Sequence, residues 1–222
     1  MLTLVATPIG DYDEITLKAL TTLKEAEVII CESTKETSKL LRHHGISGKT
    51  YEVLDEHFLK EDLQKFTDLC RDKKVALVSD CGTPAFCDPG SDLVEQCRKE
   101  GIEIRNCLGA SSLMGLISLS GLKLHEFLFR GFVPQETSAR NEAYKNLQAE
   151  LKQTKRAIVL MDTPYRLQKM ISELEAFFGD HVIVLATDLG TAEEQILTGT
   201  PAAVRNKLTK TKAEFMILVK PK

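Results

Sequence analysis

The sequence lacks tryptophan altogether, and only 6% of its 222 residues are aromatic. It also lacks the excess of positive charge that nucleic acids attract, because 29 basic residues stand against 32 acidic ones and the formal net charge is −3. A general electrostatic attraction to phosphate is therefore excluded. Any contact with nucleic acid would depend on basic residues that are clustered locally.

The six cysteines form no C-x-x-C pair. Cys81 and Cys87 lie close together in the sequence, but no second thiol pair or histidine motif accompanies them, and we predict no metal site. No uninterrupted apolar run approaches the roughly 20 residues that span a membrane. The opening MLTLVATPIG has neither a basic start nor a long apolar core. We therefore predict a cytoplasmic protein with reduced thiols and no membrane association.

Short apolar runs alternate with segments of helical periodicity through the first half of the chain. Such alternation predicts a mostly parallel sheet with crossover helices. The predicted strands of this half are residues 2–6, 28–31, 50–54, 75–79 and 102–104.

The order of predicted strands and helices changes after about residue 123, which indicates a second domain. We predict two α/β domains, residues 1–123 and 136–222, joined by a linker at 124–135, with a mixed sheet in the second. Its predicted strands are residues 157–161, 182–186 and 215–219, and one more strand is predicted at residues 127–132 beside the linker.

The segment VALVSDCGTPAFCDPG, residues 75–90, begins as a buried strand and stops abruptly at Asp80. The loop that follows is rich in glycine and proline, which allow close approach of backbone to a ligand or fix a turn. Loops after buried strands of an open α/β sheet are where such sheets bind ligands. Similar turns follow other predicted strands, at residues 7–10, 109–112, 162–164 and 187–190. Together they predict a small-molecule site in a cleft between the domains.

Several side chains near these turns have a functional and a plain interpretation. Asp80 either holds a ligand hydroxyl or amine or only caps its loop. Glu32 is either a general base or one partner of a solvated pair with Lys35. His57 either accepts a proton or is simply exposed. Ser111 and Ser112 either contact a ligand or cap the following helix. A basic helix face, which either contacts nucleic acid or is only solvated, consists of Lys35, Lys39, Arg42, His43 and His44.

Known motifs exclude some classes of site. No turn resembles G-x-G-x-x-G or G-x-x-x-x-G-K-[ST], so the common phosphate cradles are unsupported. H-E-x-x-H and G-x-S-x-G do not occur, which removes two common hydrolase interpretations.

Three segments resemble the tetrapyrrole methylase superfamily, and within it the ribosomal RNA small subunit methyltransferase I family. They are ATPIGDYDEIT at residues 6–16, ESTKETSKLLRHHGI at 32–46 and the central VALVSDCGTPAFCDPG. GFVP at 131–134, TPYRL at 163–167 and AEFMILV at 213–219 follow in the same order. The resemblance covers nearly the whole chain.

The resemblance implies S-adenosylmethionine as cofactor, held in a cleft between two α/β domains of a homodimer. It implies 16S ribosomal RNA or the small ribosomal subunit as partner, and 2′-O-methylation of a cytidine ribose in the decoding region. The cofactor-binding residues it implies are Pro8, Gly10, Asp80, Gly82, Thr83, Pro84, Ser111, Ser112, Asp162 and Ala186. Candidates for the zone around the ribose hydroxyl are Glu32, Lys35, Asp13 and His57.

The sequence departs from the family's pattern at several positions. Ser33 stands where the family usually has an acid, and the stretch at 187–191 lacks two usual basic residues. Asp162 stands for a glutamate and Tyr165 for a histidine, and the serine turn reads LGASS. Two alternatives therefore stay open. One is a methylase of a small macrocyclic acceptor of porphyrin or corrin type, and the other is a non-catalytic binding protein on the same fold.

Overall fold

The structure, a computed structural model, describes residues 1–55 and 62–222. The chain divides into two compact units, Met1–Ser111 and Ser112–Lys222. Each unit is built on its own five-stranded sheet with helices packed against it. This arrangement confirms the predicted class of two α/β domains.

The first unit has a fully parallel sheet, in the strand order β3-β2-β4-β1-β5. Its elements are β1 (Leu2–Val5), α1 (Leu17–Glu25), β2 (Val28–Cys31), α2 (Thr34–His43), β3 (Thr50–Val53), α3 (Asp62–Asp72), β4 (Val75–Leu77), α4 (Ser91–Lys99) and β5 (Ile104–Cys107). A short 3-10 turn, Tyr12–Glu14, precedes α1.

The central strands of this sheet are buried on both faces, which explains why they are continuous apolar runs. Ile29 of β2 packs with α1 and α2 on one face, whereas Val28 and Ile30 pack with α3 and α4 on the other. The loops beyond β1, β2 and β4 lie at one edge of the sheet because these strands are parallel.

The second unit has a mixed sheet, in the strand order β6-β7-β10-β8-β9, in which β6 and β7 are parallel and the other pairs antiparallel. Its elements are α5 (Ser112–Leu119), β6 (Phe127–Phe132), α6 (Thr137–Thr154), β7 (Ala157–Asp162), α7 (Leu167–Phe178), β8 (Ile183–Thr187), β9 (Gln195–Gly199), α8 (Pro201–Lys207) and β10 (Phe215–Val219). The mixed character of this sheet agrees with the sequence analysis.

The division between the units falls earlier than the linker predicted at 124–135. Leu116 of α5 is fully buried against Val159 and Ala186, so this helix covers the second sheet and belongs to the second unit. The predicted linker itself contains β6, which pairs with β7. The prediction differed because α5 continues the alternation of strands and helices, and the sequence does not reveal which sheet a helix covers.

Two edge strands also differ from the prediction. β9 was missed because it pairs only with β8 and its residues are half-buried or exposed, so it forms no apolar run. The strand predicted at 102–104 is shifted to Ile104–Cys107, since Arg105 and Asn106 are exposed on an edge strand and look like a loop. Over the described residues, no helix combines the length and apolar composition that crossing a membrane requires.

Glu136 caps the amino end of α6. Its carboxylate accepts hydrogen bonds from the Ser138 hydroxyl at 2.6 Å and from the backbone N–H groups of Ala139 at 2.8 Å and Ser138 at 2.9 Å. These hydrogen bonds lower the pKa of Glu136 from 4.5 to about 2. Because the pKa of Glu136 is lower in the folded chain than in the unfolded chain, its carboxylate adds to the free energy of unfolding. This contribution is complete above pH about 4.5 and is lost as the pH falls towards 2.

We therefore expect Glu136→Gln to make the free energy of unfolding less dependent on pH between about 4.5 and 2. Urea unfolding across that range measures the effect. Glu142→Gln, at an exposed position of the same helix, is the matched control and should keep the wild-type dependence. A Glu136→Gln profile parallel to that of the wild type would contradict the capping role.

Candidate functional site

The loops after β1 and β4 are joined through their backbones. The Thr7 N–H donates to the Gly82 carbonyl at 2.9 Å, and the Gly82 N–H donates back to the Thr7 carbonyl at 3.1 Å. The buried Thr7 hydroxyl donates to the Ser79 carbonyl at 3.2 Å. Gly82 has φ +80°, a conformation that side chains other than glycine rarely adopt. The first and central loops of the sequence analysis are thus one assembly.

The serine turn joins the same assembly. The Thr83 hydroxyl donates to the Ala110 carbonyl at 3.1 Å. A Cβ atom at Gly109 would lie 2.9 Å from the Cβ of Ala6, closer than real Cβ contacts, so only glycine allows this turn to pack on the end of β1. Three loops that are far apart in sequence are therefore held side by side at one edge of the sheet.

Two acids face each other across this edge. The Asp80 N–H donates to a carboxylate oxygen of Glu32 at 3.2 Å, and the Ser33 N–H donates to the Asp80 carboxylate at 3.2 Å. Partial burial raises the pKa of Asp80, the Ser33 hydrogen bond opposes the rise, and the charge of Glu36 adds to it. The loops at 7–10, 80–84 and 109–111 contain no basic residue. This part of the edge therefore suits a ligand that carries positive charge.

A cavity of about 220 Å³ opens between α2 and the loops that follow β1 and β4. Pro8, Gly10 and Asp80, all predicted from the sequence, line it. A larger cavity of about 740 Å³ lies at the amino ends of β1 and β4, where Lys18 and Lys74 line it. None of the predicted site residues lines the larger cavity, so we place the candidate site at the smaller one.

Several residues that line the smaller cavity are not among those predicted from the sequence. Tyr12, Glu36 and Thr37 are among them. Thr37 is buried on the same face of α2 as Leu40 and Leu41, so the apolar spacing of that helix was the available signal.

The four candidates for the acceptor zone have different surroundings. Glu32 lies beside Asp80, and Lys35 is exposed in the first turn of α2. Asp13 contacts His43, whose Nε2 lies 2.8 Å from its carboxylate, and this contact lowers the pKa of Asp13. His57 lies outside the described residues. The structure thus brings Glu32, but not Asp13, next to the predicted cofactor residues.

Two predicted cofactor residues of the second unit have buried side chains. Ala186 is fully buried in β8. The Asp162 carboxylate lies 2.8 Å from the buried guanidinium of Arg140, which also donates from Nε to Glu173 at 2.7 Å. Tyr144 donates to the same Glu173 carboxylate at 3.0 Å. Burial weighs against contact of the Asp162 and Ala186 side chains with a ligand, and both assignments stay predictions.

The two serines of the third loop fall on either side of the division between the units. Ser111 is the last residue of the first unit and Ser112 the first residue of α5. Their contact with the cofactor stays a prediction.

The sequence pattern of the family described as Tetrapyrrole (Corrin/Porphyrin) Methylases matches residues 1–204. The chain belongs to this family. Membership makes the protein an enzyme, a methyltransferase, with S-adenosylmethionine as methyl donor.

Similar proteins that carry the name Ribosomal RNA small subunit methyltransferase I place this tetrapyrrole methylase in that branch of the family. The protein of Neisseria meningitidis serogroup B is 33% identical over 222 residues, covering 98% of this chain and 75% of its own. That of Leptospira biflexa is 33% identical over 220 residues, covering 99% and 90%. That of Thermotoga maritima is 34% identical over 199 residues, covering 89% and 87%.

Two solved structures have the same fold as this tetrapyrrole methylase. Diphthine synthase matches with a TM-score of 0.78 and 19% identity, over 100% of this chain and 90% of its own. The methyltransferase CobJ matches with a TM-score of 0.68 and 16% identity, over 99% and 93%. At these identities the likeness concerns the fold and says nothing about the acceptor.

We expect Arg140→Ala to destabilise the methylase by about 3–5 kcal/mol, because it removes the cation nearest the buried Asp162 carboxylate and leaves only the Arg166 guanidinium, 3.6 Å away. Urea unfolding of the whole chain measures this loss. Arg130→Ala is the control, since Arg130 is exposed and its guanidinium donates only to the nearby Phe132 carbonyl among the contacts described. Equal stability of the two variants would contradict the structural role of the Arg140–Asp162 pair.

Proposed function

We propose that this methylase transfers a methyl group to the 2′-hydroxyl of a cytidine ribose in the decoding region of 16S ribosomal RNA. The observation that carries the proposal is the 33% identity, over nearly the whole chain, to proteins named Ribosomal RNA small subunit methyltransferase I. We further propose that it acts in the cytoplasm, as a homodimer, on the small ribosomal subunit.

The residues of the first unit fit the methyl donor. S-adenosylmethionine carries a sulfonium and an ammonium group, and Glu32 and Asp80 supply negative charge beside loops without basic residues. When bound, the cofactor supplies an electrophilic methyl group. The residues that would hold it in this unit are Pro8, Gly10, Asp80, Gly82, Thr83, Pro84 and Ser111, and Ser112 would follow from the next unit.

Glu32 is the best-placed proton acceptor among the four acceptor-zone candidates. It follows β2 directly, so a rigid strand fixes its position, and the Asp80 N–H holds its carboxylate. A carboxylate held in this way can accept the hydroxyl proton as a general base. Asp13 is less suited because His43 already contacts its carboxylate.

Lys35 is suited to a different task, contact with phosphate. It lies three residues beyond Glu32, in the first turn of α2, and is exposed to solvent. A single lysine at this place provides a local positive charge that the net charge of the chain does not. We therefore assign Glu32 to proton transfer and Lys35 to positioning of the RNA backbone.

The test is methyl transfer from labelled S-adenosylmethionine to small ribosomal subunits isolated from a strain that lacks this gene. The proposal predicts one labelled nucleotide, identified by RNA mass spectrometry as a 2′-O-methylcytidine. Label on a base, or no label although calorimetry shows cofactor binding, would overturn the rRNA ribose assignment. The second result would favour a small macrocyclic acceptor.

We expect Glu32→Gln to lower kcat by about 10²–10⁴-fold, the range that general base catalysis contributes. Its affinity for S-adenosylmethionine, measured by calorimetry, should change much less than kcat. Glu27→Gln is a matched control, because Glu27 precedes β2 and its carboxylate likewise accepts a backbone N–H, that of Lys74, at 2.9 Å. A Glu32→Gln enzyme with near-normal turnover would remove Glu32 as the base.

We expect Lys35→Ala to raise KM for ribosomal subunits and to leave kcat nearly unchanged. Loss of one phosphate contact should also make the salt dependence of binding less steep by about one unit of slope. Lys24→Ala, an exposed lysine at the end of α1, is the control. Identical salt dependence of the Lys35→Ala and wild-type enzymes would contradict the RNA contact.

A further inference from the structure

Three side chains of types that ligate metals converge in the first unit, and one of them, Asp13, is among the acceptor-zone candidates. Asp13 comes from the 3-10 turn before α1, while His43 and His44 come from the end of α2. Each offers one donor atom, and these three atoms all lie within 4.8 Å of one another. No metal site was predicted from the sequence, where only Cys81 and Cys87 were considered, and Asp13 lies about thirty residues from the two histidines.

The contacts within the cluster pre-position its donors. His43 Nε2 lies 2.8 Å from the Asp13 carboxylate, and the two histidine rings pack edge to face with centroids 4.7 Å apart. His44 Nε2 lies 2.9 Å from the Tyr12 carbonyl, which requires a hydrogen on Nε2 and leaves a lone pair on Nδ1 of the neutral ring. A backbone carbonyl that fixes the tautomer in this way is a common partner of metal-binding histidines.

The geometry is close to that of a metal site. Ligand atoms at about 2.0–2.1 Å from a tetrahedral Zn²⁺ are about 3.3 Å apart. The Asp13–His43 contact would therefore widen by about half an ångström, and the most distant donors would approach by about 1.5 Å, which side-chain rotation provides. The Asp13 and His43 side chains are 75% and 45% exposed, so an ion can enter from solvent.

We propose that Asp13, His43 and His44 bind one divalent transition-metal ion of the zinc type, with water completing the coordination. Two imidazoles and one carboxylate are a ligand set that favours Zn²⁺, Co²⁺ or Ni²⁺ over the hard cations Mg²⁺ and Ca²⁺, which prefer oxygen ligands. The bound ion joins the loop that carries Gly10 to the end of α2, whose first turn carries Lys35. It therefore fixes the loop and the helix that enclose the 220 Å³ cavity.

The test is titration of the chelator-treated full chain with Co²⁺ and then Zn²⁺. We expect one equivalent of Co²⁺ to produce visible absorption typical of nitrogen and oxygen ligands, and Zn²⁺ to displace it. Asp13→Asn and His44→Ala should each weaken binding by at least about 100-fold, since even loss of a residue that only supports a ligand costs 10–100-fold. Zn²⁺ should raise the Tm of the wild-type chain and not that of these variants.

Two control variants distinguish this site from other side chains that could bind the metal. His125→Ala, an exposed histidine of the second unit, should bind as the wild type does. The double variant Cys81→Ser, Cys87→Ser removes the exposed thiols and should also bind normally. Histidine NMR signals of the wild-type chain provide a readout that needs no variant, and those of His43 and His44 should shift on addition of Zn²⁺.

Absence of a stoichiometric Co²⁺ or Zn²⁺ complex at micromolar protein would overturn the proposal. So would unchanged affinity in Asp13→Asn and His44→Ala, or loss of binding only in the double cysteine variant. Circular dichroism should show the variants folded, because the Asp13 side chain is 75% exposed and His44 lies outside the buried core.

Discussion

The reciprocal pair of backbone hydrogen bonds between Thr7 and Gly82 is the constraint on which the candidate site depends. It is possible only because β1 and β4 are adjacent and parallel, so that their loops emerge at the same edge. Backbone pairing leaves the small and acidic side chains of both loops available to a ligand. The packing of Gly109 on Ala6 adds a third loop to this assembly.

Charge then distinguishes the parts of this edge. Glu32 and Asp80 are linked by a hydrogen bond where the loops have no basic residue, which suits a cationic methyl donor. Lys35 follows three residues after Glu32, exposed in the first turn of α2, and it is the residue that we propose for contact with RNA phosphate. The second unit contributes differently, because its Asp162 is buried against the Arg140 guanidinium. Burial therefore separates these carboxylates: Asp162 pairs with Arg140 inside the second unit, whereas Glu32 and Asp80 remain accessible to a ligand.

The sequence predicted the buried parts of the fold well, since β2 and β10 are continuous apolar runs that are buried throughout. It failed for the edge strand β9, whose half-buried residues leave no periodic signal, and for α5, whose sheet partner depends on tertiary packing. In the site, glycine and proline marked the loops correctly. Residues brought in by packing, such as Thr37 and the pairing of Asp13 with His43, depend on contacts between distant segments.

The most direct test of the central claim is hydrogen–deuterium exchange of the whole chain with and without S-adenosylmethionine. If the assembled loops of the first unit hold the cofactor, peptides that cover residues 7–10, 80–84 and 109–111 should exchange more slowly when it is bound. Unchanged exchange in these loops, with protection instead around Lys18 and Lys74 at the larger cavity, would contradict the account.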